Sequence, residues 1–389
     1  MKLFLCLVFI PALFAVHFCL PAQILTGAAQ KELYYPLLKG KKVSVVVNAA
    51  SVVGEDHLID QLKGDGMQIV SIFSPEHGFR IDAGAGEKVN HSVDSATGIP
   101  IVSLYGRHLK PAAEDLLRTE VMVFDLQDVG VRFYTYISTL TYVMEACRDL
   151  SVPVIVLDRP NPNAFYVDGP MMEPGFTSFV GLHPVPVVYG MTIGEYARMV
   201  NGEGWLNGGA PCNLTVIPVG GYHRDDLYEP PVRPSPNLPG LNAILLYPSL
   251  CLFEGTTVSV GRGTNLPFEI YGHPLLDYGQ YTFTPVPIKG LSLDPPHNGQ
   301  LCRGEDLRSF YRDHPGLLGI LNLTWLIRAY QSLKDIPGGF FNSYFNQLAG
   351  NDQLQRQIRE EILVKKIRAS WKPGLEKFKK VRKKYLMYD

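Results

Sequence analysis

Residues 121–136 read VMVFDLQDVGVRFYTY. The first half is an apolar, β-branched run of strand length. The second half crowds Asp125, Gln127, Asp128, Arg132, Tyr134 and Tyr136 into twelve residues. A buried strand that delivers carboxylates, an amide, a guanidinium and two phenols at its carboxyl end has the make-up of a site. The plainer alternative is an Asp–Arg pair walled in by packed tyrosines.

Four similar apolar runs flank this one, at residues 42–49 (KVSVVVNA), 68–73 (QIVSIF), 99–104 and 152–157. Helical patterns lie between them at 59–62, 111–117 and 139–150. Near-continuous apolar strands alternating with helices predict a mostly parallel sheet covered on both faces. Right-handed crossovers then put every strand's carboxyl end on one edge, where open α/β sheets bind ligands. The four ends in question begin at Asn48, Ser74, Asp125 and Asp158, all are polar, and three carry a carboxylate. The arrangement is Rossmann-like, yet no GxGxxG follows the first strand and no Walker A motif occurs, which argues against NAD and ATP.

Beyond residue 160 the chain becomes rich in Pro, Gly and aromatic residues. The domain division expected is a Rossmann-like catalytic domain over 23–160 and a second α/β, substrate-binding domain over 161–389. Thr192 and Glu195 have the spacing of a capping box, so a helix should follow. Residues 214–219 read as a strand. Residues 230–239 hold five prolines and must form an extended loop. Residues 247–263 are glycine-rich and carry Glu254 and Arg262, with Asn265 just beyond. Residues 353–367 read as one amphipathic helix, and the basic tail after it as a solvated face.

Residues 1–22 have the form of a secretory signal: a Lys2 n-region, an apolar run to Leu20, and a small residue at Ala22. Export to the periplasm is the expectation, without stable membrane insertion once the signal is removed; a lipoprotein anchor at Cys19 is a minor alternative. The 36 Lys and Arg against 37 Asp and Glu give a net charge of −1, which offers no electrostatic case for nucleic acid. Cys147, Cys212, Cys251 and Cys302 are widely spaced without CxxC, so a cysteine metal site is not expected and single buried thiols are.

The chemistry best supplied is glycoside hydrolysis. Glu76, in SPEHG directly after a buried strand and beside His77, is placed to have a raised pKa and act as a general acid. Asp125 or Asp128 is the candidate partner carboxylate. The absence of GxSxG and HExxH disfavours esterase and zinc-protease chemistry.

Five motifs occur in order: SPEHGFR, FDLQDVGVRFYTYISTL, VLDRPNP, YGMTIGEYA and LCLFEGTTVSVGRGTNLPFEIYGHP. Together they resemble the exo-β-N-acetylmuramidase family of bacterial cell-wall recycling, the NamZ type, over essentially the whole chain after residue 22. The resemblance implies an exo-acting glycosidase that removes N-acetylmuramic acid from the non-reducing end of peptidoglycan-derived saccharides, without a cofactor, in a cleft between a Rossmann-like domain and a second α/β domain. It implies that the catalytic glutamate is Glu76, with Asp125 or Asp128 as the second candidate. His77, Gln127, Tyr134, Tyr136, Asn161, Glu254 and Asn265 are then expected to hold the sugar. Arg132 and Arg262 are the candidates to read the lactyl carboxylate of muramic acid. A binding protein that keeps the cleft without catalysis is the alternative. Oligomeric state is not legible.

Overall fold

A computed structural model of the protein describes residues 24–76, 78–79 and 92–389. The signal expected over 1–22 and the candidate His77 lie outside the described residues.

Apart from a two-residue hairpin of Val52–Val53 with Asp56–His57, the strands are β1 (Lys42–Val47), β2 (Gln68–Ser74), β3 (Ser92–Val93), β4 (Pro100–Ser103), β5 (Val121–Asp125), β6 (Val154–Leu157), β7 (Asp168–Met171), β8 (Pro186–Val188), β9 (Leu214–Ile217), β10 (Ile270–His273), β11 (Tyr281–Phe283) and β12 (Cys302–Asp306). Seven of them form one sheet in the order β9-β6-β5-β1-β2-β4-β3, parallel throughout except for β3 against β4. The six parallel strands run outward from β1 first through β2 and β4, then back through β5, β6 and β9. That is the doubly wound 3-2-1-4-5-6 order, and its switch point lies between β1 and β5.

The central strands are apolar on both faces because both faces are covered. On β1, Val43, Val45 and Val47 join one core with Leu58, Ile59 and Leu62 of the helix Leu58–Gly64. Val46 points to the other core with Met122 and Phe124 of β5 and Leu140 of the helix Tyr136–Asp149. The period of two thus sorts successive residues into two different cores. Each such side chain taken from water contributes about 1.5–3 kcal/mol before entropy is counted.

The expected domain boundary at 160 does not match this topology. Leu214–Ile217 pairs in parallel with Val154–Leu157, so the sheet takes its last strand from well past that point. The antiparallel β7–β8 pair is inserted between β6 and β9. A further three-stranded sheet, β10-β12-β11, is antiparallel and lies later in the chain. Its Tyr271, with Phe253 and Trp325, belongs to the same apolar core as Phe124 and Leu140, so the two units share one interior.

The capping box forms as expected. Thr192 Oγ1 accepts the Glu195 amide at 3.2 Å, and Glu195 Oε2 accepts the Thr192 amide at 3.0 Å. The helix expected over 353–367 is instead two: Gln353–Arg359 ends before Glu361, whose φ of +52° breaks the helical path, and Val364–Arg382 begins anew. The four cysteines 147, 212, 251 and 302 are free and buried. Among the described residues no helix is long and apolar enough to cross a membrane.

Candidate active site

Glu76 follows β2 after Pro75 and opens onto a concavity of about 470 Å³, part of it solvent. Tyr134, Tyr136, Tyr247 and Phe268 form aromatic walls, Ser235 and Asn237 add polar atoms, and Arg262 adds a cation. The mixture suits a sugar, whose apolar face wants aromatic carbon and whose hydroxyls want polar partners.

Glu76 is half-buried, and burial raises its pKa above the ordinary glutamate range. A hydrogen bond from Tyr105 and the charge of Arg262 work against that shift, while the charge of Glu254 adds to it. The net direction keeps the group protonated to higher pH than a free glutamate, as a general acid requires.

Glu254 and Arg262 are a bound pair. Arg262 Nε donates to Glu254 Oε1 at 2.5 Å, and the guanidinium carbon sits 5.2 Å from the centre of the Phe268 ring. Cys251 Sγ donates to the other Glu254 oxygen at 3.4 Å.

The two tyrosines of residues 121–136 line the cavity with their rings, which meet edge to face at 4.7 Å. Their hydroxyls are tied down. Tyr134 donates to the Pro234 carbonyl at 2.7 Å, and Tyr136 receives the Asn48 side-chain amide at 2.7 Å. Asn48 follows β1, so the switch point between β1 and β5 is closed by this contact and backs the cavity wall.

Much of the expected polar cluster lies inside that wall. Asp125 is fully buried in a two-pronged pair with Arg159, at 2.6 and 2.8 Å. Asp128 is buried too. Its Oδ2 accepts the Gly130 amide at 2.8 Å and the Tyr189 hydroxyl, and burial pushes its pKa up to about 6. Neither lines the cavity. The expectation of a second carboxylate there from Asp125 or Asp128 is therefore corrected. Both side chains point into the protein because the turn after β5 spends them on its own backbone and neighbours.

Three further expectations are corrected in the same way. Arg132 is completely buried, with Nη1 donating to the Pro170 and Val185 carbonyls at 2.9 and 2.7 Å and Nη2 donating to the Leu348 carbonyl at 2.8 Å. It pins β7, the approach to β8 and the Phe345–Ala349 helix together, and does not reach a ligand. Gln127 donates to the carbonyls of Asp128 and Pro160, both at 2.8 Å. Asn161 donates to Met191 O and accepts the Asn163 amide, both at 2.8 Å, and it packs under Gly130, whose φ of +75° and closeness leave no room for a Cβ. Asn265 is exposed and outside the cavity. Asp158, at the end of β6, is likewise buried and accepts Gly194 N, Thr192 Oγ1 and Tyr388 Oη at 2.8, 2.7 and 2.6 Å.

Several cavity residues were not singled out from the sequence. Residues 230–239 were read only as an extended chain, yet this loop supplies Ser235 and Asn237 to the cavity and the Pro234 carbonyl to Tyr134. The run of prolines is the available signal: a stretch held rigid without secondary structure is one that can hold polar atoms in place. Tyr247 opens the glycine-rich run and Phe268 lies within the last quoted motif, though neither stands out there, and Tyr105, which hydrogen-bonds Glu76, lies in no motif. Among the described residues no group of three or more His, Cys, Asp or Glu is placed to hold a metal ion.

Comparison with known proteins identifies the family. Residues 43–242 match the family model described as exo-β-N-acetylmuramidase NamZ, N-terminal, and residues 245–388 match its C-terminal counterpart. The peptidoglycan β-N-acetylmuramidase NamZ of Bacillus subtilis (strain 168) is 37% identical over 373 residues, covering 91% of this chain and 89% of that protein. Two crystal structures of DUF1343-family proteins from Bacteroides fragilis NCTC 9343 share the fold. One has a TM-score of 0.87 at 43% identity, covering 95% of this chain and 99% of its own. The other has a TM-score of 0.76 at 26% identity, covering 94% and 99%.

Proposed function

The chain belongs to the NamZ family of exo-β-N-acetylmuramidases, and from that membership we propose that the Glu76 cavity is where its reaction takes place. The protein is a glycoside hydrolase of peptidoglycan that releases N-acetylmuramic acid from the non-reducing end of peptidoglycan-derived saccharides. The single observation that carries the placement is Glu76 itself: a carboxyl with a raised pKa at a strand's carboxyl end, opening on an aromatic-walled cavity.

In this proposal Glu76 protonates the glycosidic oxygen as the bond to the leaving sugar breaks. Tyr134, Tyr136, Tyr247 and Phe268 hold the sugar's apolar faces, and Ser235 and Asn237 meet its polar edge. The Arg262–Glu254 pair faces the acid and sets the field in which it titrates. Asp125 and Asp128 are positioning residues: they fix the turn after β5, from which the two tyrosines project. The leader read in residues 1–22 supports a periplasmic setting, where the polymer itself lies.

Incubation with the disaccharide of N-acetylmuramic acid β-linked to N-acetylglucosamine tests this directly. The wild-type protein should yield both free sugars, and Glu76→Gln should yield them at least about 100-fold more slowly while remaining folded. A Glu76→Gln protein that still releases muramic acid at the wild-type rate would move the site elsewhere.

A further inference from the structure

Muramic acid carries a lactyl carboxylate, which a basic group in or beside the cavity must meet. Arg132 is spent on three buried carbonyls. Arg262 is held by Glu254 at 2.5 Å, so its charge is already compensated. A compensated guanidinium gains little from a second carboxylate.

Arg233 differs from both. It is exposed, and among the described residues it makes no ion pair or hydrogen bond. It lines a narrow crevice together with Asn48, Ala50, Gly78, Pro234 and Ser235. That crevice adjoins the Glu76 cavity, because Ser235 lines both. Gly78 lies two residues after Glu76, and Asn48 is bonded to Tyr136 of the cavity wall. The backbone next to Arg233 is fixed, since the Pro234 carbonyl accepts Tyr134 Oη at 2.7 Å and prolines stand on both sides of Ser235. An uncompensated cation on a rigid loop, at the rim of the aromatic-walled cavity, is equipped to select an anionic substituent.

We propose that Arg233 is a specificity-determining residue that binds the free lactyl carboxylate of the terminal muramic acid. This rests on the placement of the active site at Glu76. The guanidinium pairs with the carboxylate at the mouth while the ring enters between Tyr134 and Phe268. Because the pair forms at a solvent-exposed rim, its contribution falls as salt rises.

The test uses the full chain and three aryl glycosides: the N-acetylmuramide, its lactyl methyl amide, and the N-acetylglucosaminide. In the wild type, kcat/KM for the free acid should exceed that for the amide by about 10- to 100-fold, the range of one charge-assisted contact. Raising the salt should shrink the ratio through KM. In Arg233→Gln the ratio should fall toward one, and Arg233→Lys should restore part of it. A structural role would lower all three substrates together and leave the ratios alone. An unchanged acid-to-amide ratio in Arg233→Gln overturns the proposal, while Glu76→Gln, run alongside, separately reports whether the cavity is the active site. If Glu76→Gln is inactive and the Arg233→Gln ratio is unchanged, only the role of Arg233 is lost. If Glu76→Gln is fully active, the site and the role of Arg233 fall together.

Discussion

Arg159 grips Asp125 from the next strand end, Nε to Oδ1 at 2.6 Å and a terminal amino group to Oδ2 at 2.8 Å, with both side chains shielded from solvent. The same guanidinium also donates to the Val52 carbonyl at 3.0 Å. The pair therefore ties the ends of β5 and β6 to the turn after β1. Removing one partner leaves the other as a buried, uncompensated charge, at a cost of about 3–5 kcal/mol. Asp125→Ala is expected to lower the unfolding free energy by that amount, read as a lower urea midpoint at unchanged slope, and the surviving folded fraction should keep its KM. If Asp125 were the second catalytic carboxylate, the pattern would reverse: wild-type stability with kcat lost. Denaturation and initial rates on one preparation separate the two.

Glu76→Gln is expected to lower kcat by about 10²- to 10⁴-fold, the usual contribution of a positioned general acid. The pH dependence carries a second readout. The folded-state pKa of Glu76 is raised, so the protonated acid persists above the ordinary glutamate range. Activity should fall as pH climbs through that raised value, giving an alkaline limb that Glu76→Gln lacks. Stability follows the same sign. A raised carboxyl contributes stability that is complete below its unfolded pKa and lost as pH rises through the folded one. Glu76→Gln should flatten that part of the stability profile, as read by thermal melts across pH 4 to about 8. A wild-type rate profile with no alkaline limb would remove Glu76 from the acid role.

The strands and their polar ends were legible because a parallel strand buried on both faces is a continuous apolar run, and its end is abrupt. What lay beyond reach was which polar end-residue turns outward. Asp125, Asp128, Asn161 and Asp158 look like Glu76 in sequence, each polar and each just past an apolar strand. Four of them are consumed by hydrogen bonds from Arg159, Tyr189, Asn163 and Tyr388, partners up to 230 residues away. Only packing tells a carboxylate that closes a turn from one that faces a cavity. The last strand was read as a strand but placed in the wrong unit. The β7–β8 insertion separates it from β6, and nothing local says that a strand after such an insertion returns to the first sheet.

Arg132→Met should separate structure from recognition. The substitution keeps much of the apolar volume but leaves the carbonyls of Pro170, Val185 and Leu348 without their donor. Each buried acceptor left unpaired costs about 1–3 kcal/mol, not strictly additively. The melting temperature should drop by several degrees or more. The preference for muramic acid over N-acetylglucosamine should stay, because Arg132 has no exposed atom to offer the substrate. A loss of that preference at unchanged stability would contradict the buried placement.

Tyr105→Phe tests how the acid is tuned. The Tyr105 hydroxyl donates to the Glu76 carboxyl, which favours the ionised form and works against the upward push of burial. Removing that donor leaves burial less opposed, so the Glu76 pKa should rise further. The alkaline limb of kcat/KM should then move to higher pH, with the acid limb in place. Arg262→Gln should move it in the same direction, since it removes a positive neighbour and frees the negative charge of Glu254, both of which disfavour ionised Glu76. The two effects act on one proton from different sides, so the double variant should shift the limb further than either single one. A shift to lower pH in either variant would mean that the titrating group of the limb is not Glu76.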